Sequence, residues 1–140
     1  MATAPKTQYV ESVAEGYAAA YNKLPLAELE YEMVSKAIGD CTGKTVLDLG
    51  GGNGQYARKA VELGAELVDV IDISPAMLQL GRKIEEERGH HSKIRWFEGD
   101  ATKALHNLPL LPHGYDIVMC NWVFDHATNE DVSRRPQSQK

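Results

Sequence analysis

A glycine-rich segment near the middle of the chain has the residue types needed to hold a nucleotide. The apolar and β-branched residues 45–47 lead into Asp48, and glycines then stand at Gly50, Gly52 and Gly54. Glycine lets the backbone approach a ligand closely, and the N–H groups that open a helix favour an anionic group. A buried strand that breaks into such a loop and opens a helix is typical of nucleotide-binding α/β proteins. The alternative is a tight strand-to-helix turn without a ligand.

The spacing of these glycines distinguishes between classes of nucleotide. A dinucleotide fingerprint requires Gly-x-Gly-x-x-Gly, and counting from Gly50 and Gly52 places Gln55 where its third glycine should stand. An NAD-dependent oxidoreductase is therefore disfavoured. The observed order, an acid followed by glycines at alternating positions, resembles motif I of the class I S-adenosylmethionine (SAM)-dependent methyltransferases.

Three further segments continue this resemblance in the same order along the chain. Residues 69–78 look like the second-strand motif of that family, residues 97–101 like its adenine-contacting motif, and residues 115–126 like its fourth strand. Together the segments cover roughly residues 9–131. The resemblance implies a Rossmann-like three-layer α/β sandwich whose parallel sheet has the strand order 3-2-1-4, with SAM as the cofactor.

The hydrophobic periodicity predicts the elements that would position these segments. Strands are predicted at residues 45–49, 67–71, 94–97 and 115–122, with a short helix after Asp100. Alternation of strands and helices implies a parallel sheet covered on both faces and joined by right-handed crossovers. The longer helices are predicted from Tyr9 to about Tyr21, from Pro25 through Leu26, Leu29, Met33 and Ile38, from the glycine loop to Leu63, and from the Ser74 N-cap and Pro75 to Gly89.

The resemblance assigns cofactor contacts to three acids near the ends of the strands. Asp48 would lie near the ammonium group of the methionine moiety, or would cap the glycine turn. Asp72 would accept hydrogen bonds from both ribose hydroxyls. The alternative is an N-cap of the following helix, a role that Ser74 serves better. Asp100 would meet the adenine amino group, or would cap the short helix predicted after it.

Four neighbouring residues complete the expected cofactor contacts. Ile73 would pack against the adenine, or make a general core contact, and Ala101 would supply a backbone N–H group. Asn121 and Trp122 lie at the carboxyl end of the fourth strand, where α/β sheets bind ligands. Core packing is the alternative for Trp122.

The N-terminal helix and the end of the fourth motif supply further candidates. Tyr17 and Tyr21 resemble the tyrosine pair with which the family's N-terminal helix closes over the cofactor; the alternative is a packing stripe. His126 would act as general base toward a hydroxyl or amine, since a histidine side chain ordinarily titrates near working pH, or would orient its loop. The acidic run 85–87 is most simply a solvated helix face.

The composition limits the kinds of partner and the cellular compartment that we expect. The net charge of −5 and the pI of about 5.5 disfavour nucleic acid as a partner. No apolar run approaches membrane-spanning length. Cys41 and Cys120 are too few for a disulfide framework, which favours a reduced, cytoplasmic location, and no metal-ligand spacing is present, so no metal is predicted. We expect one domain over residues 1–131 and a disordered polar tail over residues 132–140.

The end of the chain departs from the family pattern. Complete class I methyltransferases continue past strand four with three further strands, so this chain would keep the cofactor half and lack much of the substrate half. Strand four would be an unpaired apolar edge, open to a homodimer contact or a partner chain. The sequence thus predicts a methyltransferase that acts on a small molecule by O-, N- or C-methyl transfer. The alternative is a non-catalytic SAM-binding partner or regulatory subunit.

Overall fold

The computed structural model of the protein describes residues 11–89, 93–103 and 105–121, which form four helices and four strands in those ranges. The helices are α1 (Glu11–Tyr21), α2 (Pro25–Ile38), α3 (Gln55–Glu62) and α4 (Pro75–Arg88). The strands are β1 (Thr45–Leu49), β2 (Leu67–Asp72), β3 (Ile94–Glu98) and β4 (Ile117–Cys120).

The four strands form one parallel sheet in the order β3-β2-β1-β4. This order and the Rossmann-like α/β class confirm the predicted fold. Leu49 pairs with Ile71 of β2 on one side and with Cys120 of β4 on the other. Because all strands run in one direction, their carboxyl ends meet at one edge of the sheet.

One face of the sheet is covered by the helices. Val46, Val68, Ile94 and Met119 point into a core cluster that also contains the α3 residue Ala57. Helix α3 packs on β1 and β2, and α4 packs on β2 and β3. Helix α1 packs on α4 and α2 packs on α3, so the N-terminal helices form a second row outside the first.

The opposite face carries a loop in the described part of the chain. Residues 99–103 and 105–116 lie along this face, and the side chains of Leu105 and Leu108 approach Ile71 near Gly99. Asp69 is fully buried here and pairs with Arg95, whose guanidinium donates from Nε and Nη2 at 2.7 and 2.6 Å. Toward β4 the cover ends, since Val118 is 56% exposed.

The ends of α4 follow the predicted capping residues. The Ser74 hydroxyl accepts a hydrogen bond from Met77 N at 3.3 Å, Pro75 stands at the first helical position, and Gly89 ends the helix in the left-handed region at φ +73°. These are the usual start and stop signals of a helix. Strand β1 spans the predicted residues 45–49.

Four expectations differ from the structure. The fourth strand is shorter than predicted, since Tyr115 and Asp116 precede it. Residues 101–103 form a turn rather than a short helix. Helix α2 buries a different face, because Ala27, Tyr31, Val34 and Ile38 pack inward while Leu26, Leu29 and Met33 are exposed. In the acidic run 85–87, Glu85 is buried against Arg58, whereas Glu86 and Glu87 are exposed.

Some predictions concern residues that the structure does not describe, and others concern a membrane-spanning helix or a metal site. The proposed tail at 132–140 and the two residues before α1 are not described. None of the helices in the described ranges is long and apolar enough to cross a membrane. The described residues contain no group of three or more His, Cys, Asp or Glu side chains placed to hold a metal ion.

Candidate functional site

The glycine loop lies across the carboxyl ends of β1 and β2. Gly50 N and Gly51 N donate to the Ile71 carbonyl at 2.7 and 3.2 Å, which fastens the start of the loop to β2. Gly54 N donates to the Gly51 carbonyl at 2.9 Å and closes a turn. Helix α3 begins at the next residue. The loop is therefore held by backbone hydrogen bonds on the side of the sheet.

Two glycines of this loop are required by their neighbours inside the protein. A Cβ on Gly51 would lie 2.6 Å from Asp48 Oδ2 and 2.8 Å from Val70 Cγ1. A Cβ on Gly54 would overlap the Trp96 ring, and Gly54 also has φ +79°. The absent side chain of Gly54 thus makes room for the indole, a reason that the sequence analysis did not anticipate.

Asp48 is an acid without a hydrogen-bond partner in the described part of the chain. Its side chain is 1% exposed, and neither carboxylate oxygen has a partner among the described residues. Burial, and then the negative charge of Asp72, raise the pKa of Asp48 to about 7. An orphaned buried acceptor directly under the loop favours a ligand that brings a positive charge or a donor.

Asp72 is bound by the backbone around it. Its Oδ2 accepts from Gly52 N at 2.9 Å, and its Oδ1 accepts from Ser74 N at 2.8 Å. The acid therefore links the glycine loop to the turn that begins α4. Each carboxylate oxygen has two lone pairs, so these bonds are compatible with the predicted acceptance of ribose hydroxyls. Ile73, next along the chain, is half-buried.

Asp100 caps the turn that follows it. Its Oδ1 accepts from Thr102 N at 3.0 Å and from Thr102 Oγ1 at 2.6 Å, and Lys103 Nζ lies 3.4 Å from Oδ2. Although burial raises the pKa of Asp100, the Thr102 hydrogen bonds and the Lys103 charge bring it below the ordinary value. These bonds cap a turn rather than the predicted short helix, and the adenine contact stays a prediction. Ala101 is half-buried within this turn.

Asn121 supplies a second orphaned group at the same edge of the sheet. It directly follows β4, and its buried Nδ2 has no hydrogen-bond partner among the described residues. Strand β4 pairs with β1. The buried donor of Asn121 and the buried acceptor of Asp48 therefore stand near the ends of two adjacent strands. Such pairs of unsatisfied groups are uncommon in native proteins and call for a ligand or water.

Helices α1 and α2 approach the site through a tyrosine cluster. The Tyr21 hydroxyl donates to Glu30 Oε2, and Tyr56 in the first turn of α3 stacks on Tyr31 with ring centroids 6.1 Å apart. Burial, followed by Glu30 and Asp48, raises the pKa of Tyr56. The charges of the α2 acid Glu30 and of Asp48 under the loop thus both act on Tyr56.

Sequence reasoning missed Glu30 and Tyr56. Glu30 is one of three alternating acids on α2 and looks like part of a solvated face. Tyr56 could have been found, since it stands two residues after the last glycine of the motif. Trp122 and His126 lie outside the described residues, as does the side chain of Tyr17, so their predicted roles stay predictions.

The comparisons with known proteins agree on one family. The model of a family described as "Methyltransferase domain" matches residues 46–135, which is more than half of the chain. A ubiquinone/menaquinone biosynthesis C-methyltransferase from Coxiella burnetii is 31% identical over 136 residues, covering 91% of this chain and 53% of that protein. A ribosomal protein L11 methyltransferase from Deinococcus radiodurans is 35% identical over 92 residues, covering 64% of this chain and 33% of that protein.

Solved structures support the fold. The Trypanosoma brucei PRMT1 enzyme–prozyme complex with AdoHcy has a TM-score of 0.60 and 22% identity, covering 77% of this chain and 31% of the matched one. A Methanococcus maripaludis structure assigned to the SAM-dependent methyltransferases has a TM-score of 0.64 and 20% identity, covering 81% and 51%. This chain spans about half the length of the first curated relatives it matches. The names of the relatives include quinone biosynthesis, a ribosomal protein and PRMT1, so the family alone does not fix the acceptor.

Proposed function

Because this chain belongs to the family of SAM-dependent methyltransferase domains, whose cofactor is SAM, we propose that it binds SAM at the carboxyl edge of the sheet and transfers a methyl group to a small-molecule acceptor. The observation that carries the proposal is Asp48. It is a fully buried acid under a glycine loop, and its carboxylate has no partner in the described part of the chain.

The residues present fit this cofactor. SAM carries an ammonium and a sulfonium, and a buried carboxylate that lacks a donor is stabilised by such a cation. Asp72 presents carboxylate oxygens to ribose hydroxyls from the end of β2 while it holds Gly52 N and Ser74 N. Asn121 offers a buried amide donor from the end of β4. A dinucleotide would need a third glycine where Gln55 stands.

The protein's part in methyl transfer is binding, orientation and exclusion of water. When bound, SAM supplies the electrophilic methyl group. Asp48 and the glycine loop would orient the methionine end, Asp72 and Ile73 the ribose and adenine, and Asp100 and Ala101 the adenine edge. Tyr17, Tyr21 and Trp122 would close the site. We propose His126 as the general base where the acceptor must lose a proton.

A small-molecule acceptor is supported by two observations. The net charge of −5 disfavours a nucleic-acid substrate. The relative matched over 91% of this chain is named for quinone biosynthesis. The second candidate function, a non-catalytic SAM-binding subunit, is favoured by the edge position of β4, which pairs with β1 alone among the described strands.

Binding and transfer are tested separately. Titration calorimetry with SAM, S-adenosylhomocysteine, NAD and ATP should show binding of the first two only. A transfer assay with labelled SAM and a panel of phenols, quinols, amines and carbon acids then separates the two functions. Binding without transfer to any acceptor favours the subunit. A folded chain that gives no heat with millimolar SAM would contradict both.

The exposed edge of β4 is the proposed partner surface. Strand β4 pairs with β1 alone among the described strands, and natural sheets protect such edges with charges, prolines or short strands. We propose that the 140-residue chain pairs along β4 with a second copy or another chain, and that it works in the cytoplasm. Light scattering should show a species larger than a monomer, and a stable monomer at high concentration would contradict the pairing.

A further inference from the structure

The back of the glycine loop is contacted by a buried arginine. Arg58, one turn into α3, is 8% exposed, and its Nη1 donates to the Asn53 carbonyl at 2.6 Å. Its Nε lies 3.9 Å from Oε1 of Glu85 on α4, which is 3% exposed. The pair therefore links the Asn53 peptide of the loop to helices α3 and α4.

The same carbonyl also lies close to Gly81 of α4, which packs against β3. A Cβ on Gly81 of α4 would lie 2.8 Å from the Asn53 oxygen and would overlap the Trp96 ring of β3. The same ring occupies the place of a Cβ on Gly54. The position of Asn53 thus depends on α3, α4 and β3 together.

Stability alone does not explain a buried pair with this geometry. Both carboxylate oxygens of Glu85 lack a hydrogen bond within the described residues, and the contact with Arg58 is long. Apolar residues of similar size in place of a buried ion pair are often neutral or stabilising. An apolar residue at position 58 could fill the space but could not donate to the Asn53 carbonyl.

Neighbouring side chains do not pack around Asn53 on every side. Asn53 and Arg58 both line an open cavity of about 550 Å³ between the four helices. Next to such a space a directional hydrogen bond fixes a peptide group better than van der Waals contact does, and charge-assisted bonds are roughly twice as strong as neutral ones.

We infer that Arg58 is a positioning residue for the cofactor loop: its guanidinium, balanced by Glu85, holds the Asn53 carbonyl and thereby the shape of the loop between Gly52 and Gly54. In this proposal Arg58 acts through the Asn53 carbonyl and not through a contact with the cofactor. The consequence for affinity rests on the proposed function, whereas the consequence for the shape of the loop does not.

The test uses Arg58→Met, Arg58→Lys and the control Arg88→Met, which changes an exposed arginine that lines the same cavity. Hydrogen exchange in the SAM-free protein reports on the loop, and calorimetry reports on SAM. Arg58→Met should speed exchange at Gly52–Gly54 at least tenfold while the β1 and β2 amides stay protected. SAM affinity should fall roughly ten- to a hundredfold. Arg58→Lys should lie between this variant and the wild type, and Arg88→Met should match the wild type.

Three outcomes would overturn the inference: unchanged loop exchange in a folded Arg58→Met variant, uniformly faster exchange throughout the chain, or an equal effect of Arg88→Met. If Arg58→Met does not fold, Arg58→Lys decides, since it should loosen the same loop residues while the β1 and β2 amides stay protected. If the wild type does not bind SAM, the proposed function is wrong, and loop exchange still decides whether Arg58 holds the loop.

Discussion

The acids near the ends of β1 and β2 stand on neighbouring strands and are held in opposite ways. Asp72 accepts backbone hydrogen bonds on both oxygens, whereas Asp48 is 1% exposed and has no partner within the described ranges. Asp72 is therefore part of what builds the loop. Asp48 is a desolvated acid that the fold keeps under the loop at a cost, which a bound cation would offset.

The largest expected effect is the pH dependence that Asp48 gives to stability. Its pKa is about 7 in the folded protein against an ordinary 3.8, so the folded state binds a proton that the unfolded chain has lost. The resulting stability is fully present below 3.8 and is lost as pH rises through 7. The difference corresponds to about 4 kcal/mol.

Asp48→Asn isolates this contribution, because groups such as Asp100, whose pKa is lowered and whose effect has the opposite sign, are common to both proteins. Urea unfolding from pH 4 to 8 should show the wild type losing stability relative to Asp48→Asn as pH rises. A difference that does not change with pH would mean that Asp48 is solvated or paired, and would remove the contrast with Asp72.

The next effect is on Asp72. Asp72→Ala removes the acceptor for Gly52 N and Ser74 N together with the proposed ribose contacts. Hydrogen bonds to a charged group contribute about 1.5–3 kcal/mol, so SAM affinity should fall roughly ten- to a hundredfold. Calorimetry measures it, with Asp116→Ala as an aspartate control far from the loop, where Asp116 bonds Thr45. An unchanged affinity would place the ribose elsewhere.

The two acids also differ in how far the sequence could predict them. The bond from Ser74 N to Asp72 and the caps at Ser74, Pro75 and Gly89 are local, and local signals place β1 and the caps of α4 correctly, whereas the bond from Gly52 N to Asp72 joins two separate loops. The strand order followed from the family resemblance. Burial of Asp48 could be expected from its apolar strand, but its lack of a partner depends on every element around it.

Residues that act through tertiary packing were beyond sequence reasoning. Arg58 and Glu85 are far apart in the chain and look like solvated helix residues, yet they meet between α3 and α4. The buried face of α2 is set by the stacking of Tyr31 on Tyr56, because its exposed leucines have equally good helical spacing. Asp100 illustrates the converse, since a local capping turn explains its bonds without a ligand.

A smaller effect would link Asp48 to the cofactor directly. If the SAM ammonium binds the ionised form, SAM affinity should rise about tenfold between pH 6 and 8, with one proton released per SAM bound at low pH. Calorimetry in two buffers of different ionisation enthalpy counts the protons. Asp48→Asn should bind more weakly and without this pH dependence. The same proton release in that variant would assign the titration to another group.

The smallest expected effect tests whether the main cofactor contacts come from the N-terminal helices or from the strand ends. Tyr21→Phe removes the hydroxyl that donates to Glu30, one hydrogen bond between half-buried groups on α1 and α2. The loss should be about 0.5–1.5 kcal/mol in the free energy of unfolding and at most tenfold in SAM affinity. It should add to the effect of Asp72→Ala, because Tyr21 bonds Glu30 on α2, whereas Asp72 bonds the backbone N–H groups of Gly52 and Ser74. A larger loss of affinity than in Asp72→Ala would move the main cofactor contacts from the end of β2 to helix α1.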